Sequence, residues 1–496
     1  MKNRWFYPFL VLLFGLFTAQ VIATAQVYRS NGELYRTLVI IKDAGYLPIP
    51  NERTMPQLQR FGTAFFGGLF FTLTVGAGLS LIALAAAWAW DRLFRRKRIA
   101  IIPYSFLWLG FLATVNYRGL SPMVTLYFIF VPLIVFFTAL KFMPPRAKEN
   151  IWLSRTIHAV PLLILAVLWI PQMDEHFFLN LRDSLLLSNS LGIKVTDFYY
   201  DYTCYPTNAF ETLDQRLIKT CDLDDIQKAT MFEALERALL EHDYLNISKA
   251  GIVDLKITEQ EATLVFVNKG KVIFRTDSES FFANPGPVLN EFSSKTDRYS
   301  LFRRFTFFSL LLGFPVILYI LLYSLFRFLI ALFQGPTTAY VAASALCFMA
   351  GTSLLVIFSF FGGKIITGDE GLKNALKSEH VGDRIAALKT IEQEKLEIAD
   401  YDYYRLLDSP YVSERYWLVN TMRISRRSET LENLMTFLDD RHSNVISRAL
   451  YALGQRGDET VIHDIFKRME TSTDWRNQRY AYHALRDIGW KQSKSR

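Results

Sequence analysis

Cys204 and Cys221 bound the stretch CYPTNAFETLDQRLIKTC and are two of the chain's three cysteines. Thiols at this spacing either form a disulfide, closing a loop worth about 3 kcal/mol in the chain-entropy model, or remain two separate buried thiols. A bridge persists only in an oxidising compartment, so the pair bears on which side of a membrane it occupies. Cys347 lies in an apolar stretch and reads as a small packing residue. Asp174-Glu175-His176 has the residue types of a metal site, but no second cluster stands at ligand spacing. Asp222, Asp224 and Asp225 lack the glycine and terminal glutamate of a calcium loop; they suit a helix start, where negative charge is favoured. There is no GxSxG elbow, P-loop, HExxH or CxxC. The expectation is therefore no catalytic residues, no metal and no cofactor.

The elements around these residues are membrane elements. Of the 496 residues, 51% are apolar and 15% aromatic, with 41 Phe, while only 21% are charged. A soluble chain carries more charge and fewer Phe. A helix needs about 20 apolar residues to cross the hydrocarbon core. Seven stretches approach that length, at about 5–25, 62–90, 99–115, 122–142, 156–172, 305–333 and 339–362. The first begins with Lys2 and Arg4 and ends near Ala23-Thr24-Ala25, so it reads as an uncleaved anchor or, alternatively, a cleaved signal peptide. Asp, Glu and Lys are missing from the middle of every span; His158 and Arg327 lie near span ends. That pattern argues against a proton-coupled pump.

The net charge of +8 sits mainly in clusters beside apolar runs, which points to membrane topology rather than to nucleic acid. Arg92, Arg95, Arg96, Lys97 and Arg98 follow the second span; Lys141, Arg146, Lys148 and Arg155 follow the fourth. Placing both clusters in the cytoplasm puts Asn116-Tyr117-Arg118-Gly119 at an outer hairpin tip and residues 173–300 outside. Arg303 and Arg304 at the start of the sixth span run against this orientation. In the second span Ala64, Gly68, Thr72, Gly76 and Ser80 recur every four residues. They make one smooth helix face for packing inside the bundle or at a subunit interface.

Residues 173–300 read as a small α+β domain. Phe210, Leu213, Leu217 and Ile218 have helical spacing behind Thr207, and a second helix buries Ile226, Phe232, Leu235 and Leu239. Val253, Leu255 and Ile257 alternate with polar residues as in a half-buried strand. ATLVFV and KVIFRT flank Asn268-Lys269-Gly270, a hairpin turn signal. The aromatic run Phe198, Tyr199, Tyr200, Tyr202 and Tyr205 suits a core, a membrane interface or a protein contact.

After Gly362 the chain turns polar, and three series run in phase at intervals of 31 or 32 residues: Leu376, Leu407, Leu438, Met469; Ile391, Met422, Leu453, Leu485; Ala387, Leu418, Ala449, Ala481. Fixed periodicity in this range signals stacked units. ALYALGQRGD, from Ala449 to Asp458, resembles the AAxALGxxGD ending of the short HEAT-type repeats of the phycobilisome-lyase class. The first, second and fourth units lack that glycine ending. The resemblance covers about residues 370–490 and implies a curved α-solenoid that binds a protein partner along an extended surface. It implies that the second helix of each unit lines the inner face, where Arg384 and Arg415 are equivalent, with Tyr416, Trp417, Tyr480 and Tyr482 nearby. Those six residues form the candidate partner-binding surface.

The expected architecture is thus an α-helical integral membrane protein with about seven transmembrane helices. Residues 1–172 form five spans, 173–300 the small α+β domain, 301–362 two further spans, and 370–490 four HEAT-like repeats. The expected role is a non-catalytic membrane-anchored scaffold of the bacterial inner membrane, with both soluble modules extracytoplasmic. It would partner protein and the lipid bilayer but not nucleic acid. The alternative is a transporter or lipid-linked membrane enzyme, with the repeats as an accessory docking module.

Overall fold

The computed structural model describes residues 7–143, 151–172, 179, 182–247, 253–260, 263–361 and 366–494. Among the described residues six helices are long and apolar enough to cross a membrane: Tyr7–Asp43, Phe61–Arg92, Arg98–Val115, Pro122–Phe142, Ser300–Ala331 and Thr338–Val356. Seven such stretches were expected. The fifth, at 156–172, corresponds to helix Ile151–Trp169, whose described apolar part, Val160–Trp169, is shorter. The Asp174-Glu175-His176 cluster and the His158 side chain lie outside the described residues.

Helix α1 (Tyr7–Asp43) runs 18 residues beyond the expected end of the first span. Its 37 residues span about 55 Å at 1.5 Å each, against a hydrocarbon core of about 30 Å. The excess is a stalk whose Leu38 packs with Met55 and Leu58 and whose Ile41 packs with Tyr46, Leu245 and Ile247. Next come α2 (Phe61–Phe71) and α3 (Ala77–Arg92), joined without a break by one π-helical turn, Thr72–Gly76. α1 and this long helix pack antiparallel through the small-residue stripe. A Cβ at Gly76 would meet that of Ala19 at 2.4 Å, and one at Gly15 would meet Ser80 Oγ at 2.3 Å. Gln20 stitches the seam, donating to Phe65 O (2.7 Å) and accepting from Thr72 Oγ1 (2.7 Å). Ala64, Gly68, Thr72, Gly76 and Ser80 are all buried in this contact.

The opposite face of α3 meets the helix that follows the small domain. That helix is α11 (Ser300–Phe308), a second π turn (Ser309–Gly313) and α12 (Phe314–Ala331). A Cβ at Gly313 would stand 3.3 Å from the Gly78 backbone, so bare backbones meet where the two helices cross. α4 (Ile101–Val115) and α5 (Pro122–Phe142) complete the first bundle, followed by α6 (Ile151–Trp169). α13 (Pro336–Phe361) packs on α6, with Trp169 donating to Gly351 O at 3.2 Å. The bundle core is apolar: Val27, Val75, Tyr127, Phe128, Val131 and Val135 fill it.

The segment between α6 and α11 departs from the expected two-helix layout. Ser190–Thr207 forms α7, and one short 3-10 turn (Asn208–Phe210) and loop follow to residue 218 rather than an α-helix. Cys221 lies in β1 (Lys219–Asp222). A mixed sheet in the order β2-β1-β3-β4-β5 follows, with β1 parallel to β2 (Tyr244–Asn246) and β3 (Leu255–Gln260). β4 (Thr263–Asn268) and β5 (Lys271–Asp277) form the expected hairpin, whose turn places Lys269 and Gly270 at positive φ. Helix α8 (Ala229–Leu240) covers the sheet with Leu235 and Leu239. Asp222 does not cap it; its Oδ1 accepts from Asp224 N in a turn. α9 (Ser278–Ala283) and α10 (Pro285–Thr296) lead into the next long apolar helix. The expected disulfide is not seen. Cys221 is a free, fully buried thiol, and the Cys204 side chain lies outside the described residues.

The C-terminal region is four helix pairs at the expected period. They are α14 (Asp369–Lys377) with α15 (Val381–Gln393), α16 (Tyr404–Leu407) with α17 (Val412–Ile424), α18 (Ser428–Thr436) with α19 (Ser443–Arg456), and α20 (Ile462–Thr471) with α21 (Trp475–Asp487). One hydrogen bond builds the turn inside every pair. Ser378 Oγ accepts from His380 N, Ser409 Oγ from Tyr411 N, Asp440 Oδ1 from His442 N and Ser472 Oγ from Asp474 N, at 2.8–3.1 Å. The second helices end alike in three units. Lys395, Gly457 and Gly489 stand at equivalent positions, each with positive φ. Such left-handed residues terminate helices by capping the last carbonyls. The fourth unit therefore has the glycine ending that the sequence comparison denied it, displaced by the one-residue insertion. In the first unit a lysine takes that conformation.

Candidate functional site

The second helices α15, α17, α19 and α21 stack side by side, and an ordered polar ladder ties them. Arg384 Nε donates to Glu414 Oε1 at 2.7 Å, and Arg415 Nε to Asp440 Oδ2 at 2.6 Å. Each arginine also caps its own turn, through Ser378 O or Ser409 O. Gln478 repeats that motif with Ser472 O at 2.7 Å. Arg384 and Arg415 are both 8% exposed, so they hold adjacent units together rather than face a partner.

Tyr416, Trp417 and Tyr482, expected on the inner face, are engaged by this chain itself. A single run from residue 182 to residue 211 crosses all four units. Asp183, 3% exposed, accepts from Trp417 Nε1 at 2.8 Å and pairs with Lys389 Nζ at 2.7 Å. Arg182 donates to Tyr416 Oη at 3.0 Å and lies over the Tyr416 ring, 4.3 Å from its centroid. Ser188 Oγ meets Ser413 Oγ at 3.1 Å. Further along, Asp197 lies 3.6 Å from His442 Nε2, Tyr200 stacks under Arg476 at 4.3 Å, and Glu211 reaches Arg479 at 3.6 Å.

Two more segments close on the fourth unit. The turn after α8 offers Asp243, which accepts from Tyr482 Oη at 2.5 Å and forms an ion pair with Arg486, 3.0 Å from its Nε. The loop between α1 and α2 inserts Asn51. Its amide donates to Met469 O (3.1 Å) and Glu470 O (3.0 Å), the last carbonyls of α20, and its backbone N–H donates to Gln478 Oε1 (2.9 Å). Gln478 Nε2 returns a bond to Thr54 Oγ1 at 2.8 Å. Ile49 and Leu187 join the apolar core of the repeats.

Burial sets the protonation of this contact. Burial first, then the Asp243 carboxylate, pushes the Tyr482 phenol well above its ordinary range, so it stays a donor. Burial likewise lowers the His442 imidazole below its usual value, although Asp197 and Asp440 pull the other way. The Cys221 thiol, raised by burial and by neighbouring acids, remains protonated and is no nucleophile.

Of the six residues expected to meet a partner, Tyr480 alone is exposed, at 40%. Local patterning could not reveal Asn51, Asp183 or Asp243. Each is a single polar residue in a loop or turn, and what marks it is a contact 200 or more residues away. Comparison with known proteins finds no matching family model, no similar curated protein and no matching solved structure.

Proposed function

We propose that this chain is a non-catalytic membrane-anchored scaffold or assembly subunit whose HEAT-like solenoid presents a rigid surface to a protein partner. The observation that carries the reading is the closure of the solenoid onto the α1 stalk and the small domain. Through Asn51, Asp183 and Asp243 the three parts act as one platform. A curved stack that recognises loop backbone and buried carboxylates has the chemistry of a protein-binding surface; here that capacity is spent within the chain. The partner is met by outward residues, Tyr480 among them.

In the orientation we propose, the platform is extracytoplasmic in a bacterial inner membrane. Tyr7, at the start of α1, lies beside Asp91 and Arg92, at the end opposite the platform. Positive loops favour the cytoplasm. Arg303, which runs against that rule, is neutralised by Asp297 at 2.5 Å and donates to Phe210 O at 2.8 Å. A C-terminal reporter active only in the cytosol would overturn the orientation.

A transporter expects a hydrated polar path. The apolar filling between α1, α3 and α5 favours the scaffold instead. Native mass spectrometry after gentle extraction tests the role. The expected species is this chain with a second polypeptide, weakened by Tyr480→Ala. Recovery of the chain alone, under conditions that preserve other membrane complexes, would count against it.

A further inference from the structure

At the platform end of the bundle, the α4–α5 hairpin tip and the start of α11 enclose a crevice of about 330 Å³. Its lining divides by chemistry. Ala113, Val115 and Leu301 make an apolar floor, while Tyr117, Arg118 and Arg298 supply polar and cationic groups. No acidic residue lines it. Asp297, the residue before Arg298, is already bound by Arg303 through both oxygens. Arg118 spends one nitrogen, Nη1, on Ser294 O and Asp297 O, which fixes the guanidinium at the rim. Arg298 makes no hydrogen bond or ion pair among the described residues, although it is half-buried. The tip is itself rigid, because Asn116 Oδ1 accepts from Ser121 N and Thr125 Oγ1.

The depth of the crevice decides what suits it. One apolar helix ends at Val115 and the other begins at Ser300, so the crevice lies where two apolar stretches meet the water-soluble platform. Below it, the face of α4 is uncovered, with Phe106, Leu107 and Leu109 exposed. Two arginines above an apolar helix face complement a molecule with an anionic head and a hydrocarbon tail. Basic pockets between membrane helices bind lipid head groups for this reason. Guanidinium forks match phosphate oxygens in geometry as well as charge.

We propose that this crevice binds the phosphate of an anionic phospholipid, with Arg298 and Arg118 on the head group and the acyl chains along α4. The site couples the platform to the bilayer, because Arg118 reaches α10 of the small domain through Ser294. The proposal is independent of the scaffold reading.

The test uses the full-length chain in detergent, titrated with dioleoyl phosphatidylglycerol or dioleoyl phosphatidylcholine and read by native mass spectrometry. Wild type should retain phosphatidylglycerol in preference to phosphatidylcholine by about tenfold, because both carry the phosphate but the choline ammonium of the second adds a cation beside Arg118 and Arg298. Arg298→Ala should bring the two lipids to near parity. Arg304→Ala, the same charge change six residues further on, in α11 and outside the crevice lining, should keep the preference. Arg298 has no partner to lose, so its variant should elute and melt like wild type. Equal retention of both lipids by wild type, or an unchanged preference in Arg298→Ala, overturns the proposal. Displacement of lipid by inorganic phosphate, but not by chloride at equal ionic strength, would make this a free-anion site and also overturn it. Release of a co-purified polypeptide by Arg298→Ala would do the same.

Discussion

Asn51→Ala removes the latch between the α1–α2 loop and the fourth repeat. Asn51 is 7% exposed and makes its side-chain bonds to the final carbonyls of α20, at 3.1 and 3.0 Å. Alanine leaves both carbonyls without that donor and removes the acceptor of Arg53 N. A buried polar group left unsatisfied costs about 1–3 kcal/mol. The Glu470 carbonyl lies nearer solvent and counts at the low end, so the total is about 2–4 kcal/mol. At 1.4 kcal/mol per tenfold, the opening equilibrium of the loop should rise roughly 30- to 700-fold. Amide hydrogen exchange in nanodiscs reads this directly, because local opening has its own free energy. Protection should fall in residues 44–60 and 462–478 and stay unchanged in the membrane helices. Asn51→Asp keeps the shape but turns a carboxylate toward two carbonyl oxygens, so its effect should be at least as large. Wild-type exchange at both segments in Asn51→Ala would refute the latch.

Three further outcomes are expected. Asp183→Ala removes the carboxylate that pairs with Lys389 and accepts from Trp417 Nε1, costing about 3 kcal/mol of the contact between this segment and the helix pairs, and Lys389→Met in the same chain should restore much of it; a double-mutant cycle on protease resistance measures this. Gly76→Ala forces a Cβ against Ala19 and should destabilise the bundle by about 1–3 kcal/mol, with Ala19→Gly as the compensating change, read by thermal melting in detergent. His442 is held neutral by burial, so its folded pKa lies below its unfolded one. Its contribution is complete above the unfolded value of about 6.5 and is lost as pH falls through the folded value. Protection of α7 and α19 should drop on acidification below that point, and His442→Gln should flatten the profile. A pH response unchanged in that variant would remove His442 as the cause.

Much of the secondary structure was legible because single elements write their own pattern. The 31-residue series, the β4–β5 hairpin and the long apolar helices all follow local periodicity. The helix expected from Phe210 to Ile218 shows where that logic fails. Its apolar residues serve three different cores. Phe210 packs in the membrane bundle against Phe71 and Phe302, Leu213 enters the small domain, and Leu217 and Ile218 reach the repeats. Their helical spacing was a coincidence of three destinations. The candidate surface failed for a related reason. Trp417 and Tyr482 have the composition of a partner-binding face, and they do bind, but to Asp183 and Asp243 of the same chain.

By itself the amino-acid sequence determined the apolar helices, the small-residue seam and the four-unit period, since each depends on residues a few positions or one repeat apart. Only the tertiary structure decided that the four helix pairs fold back onto the end of α1 and the small sheet, and that Cys221 is buried as a thiol. The first outcome turns on single polar contacts between residues separated by more than 200 positions, and no local pattern encodes which distant backbone a lone Asn or Asp will meet; the second follows from the pairing of β1 with β2 and β3.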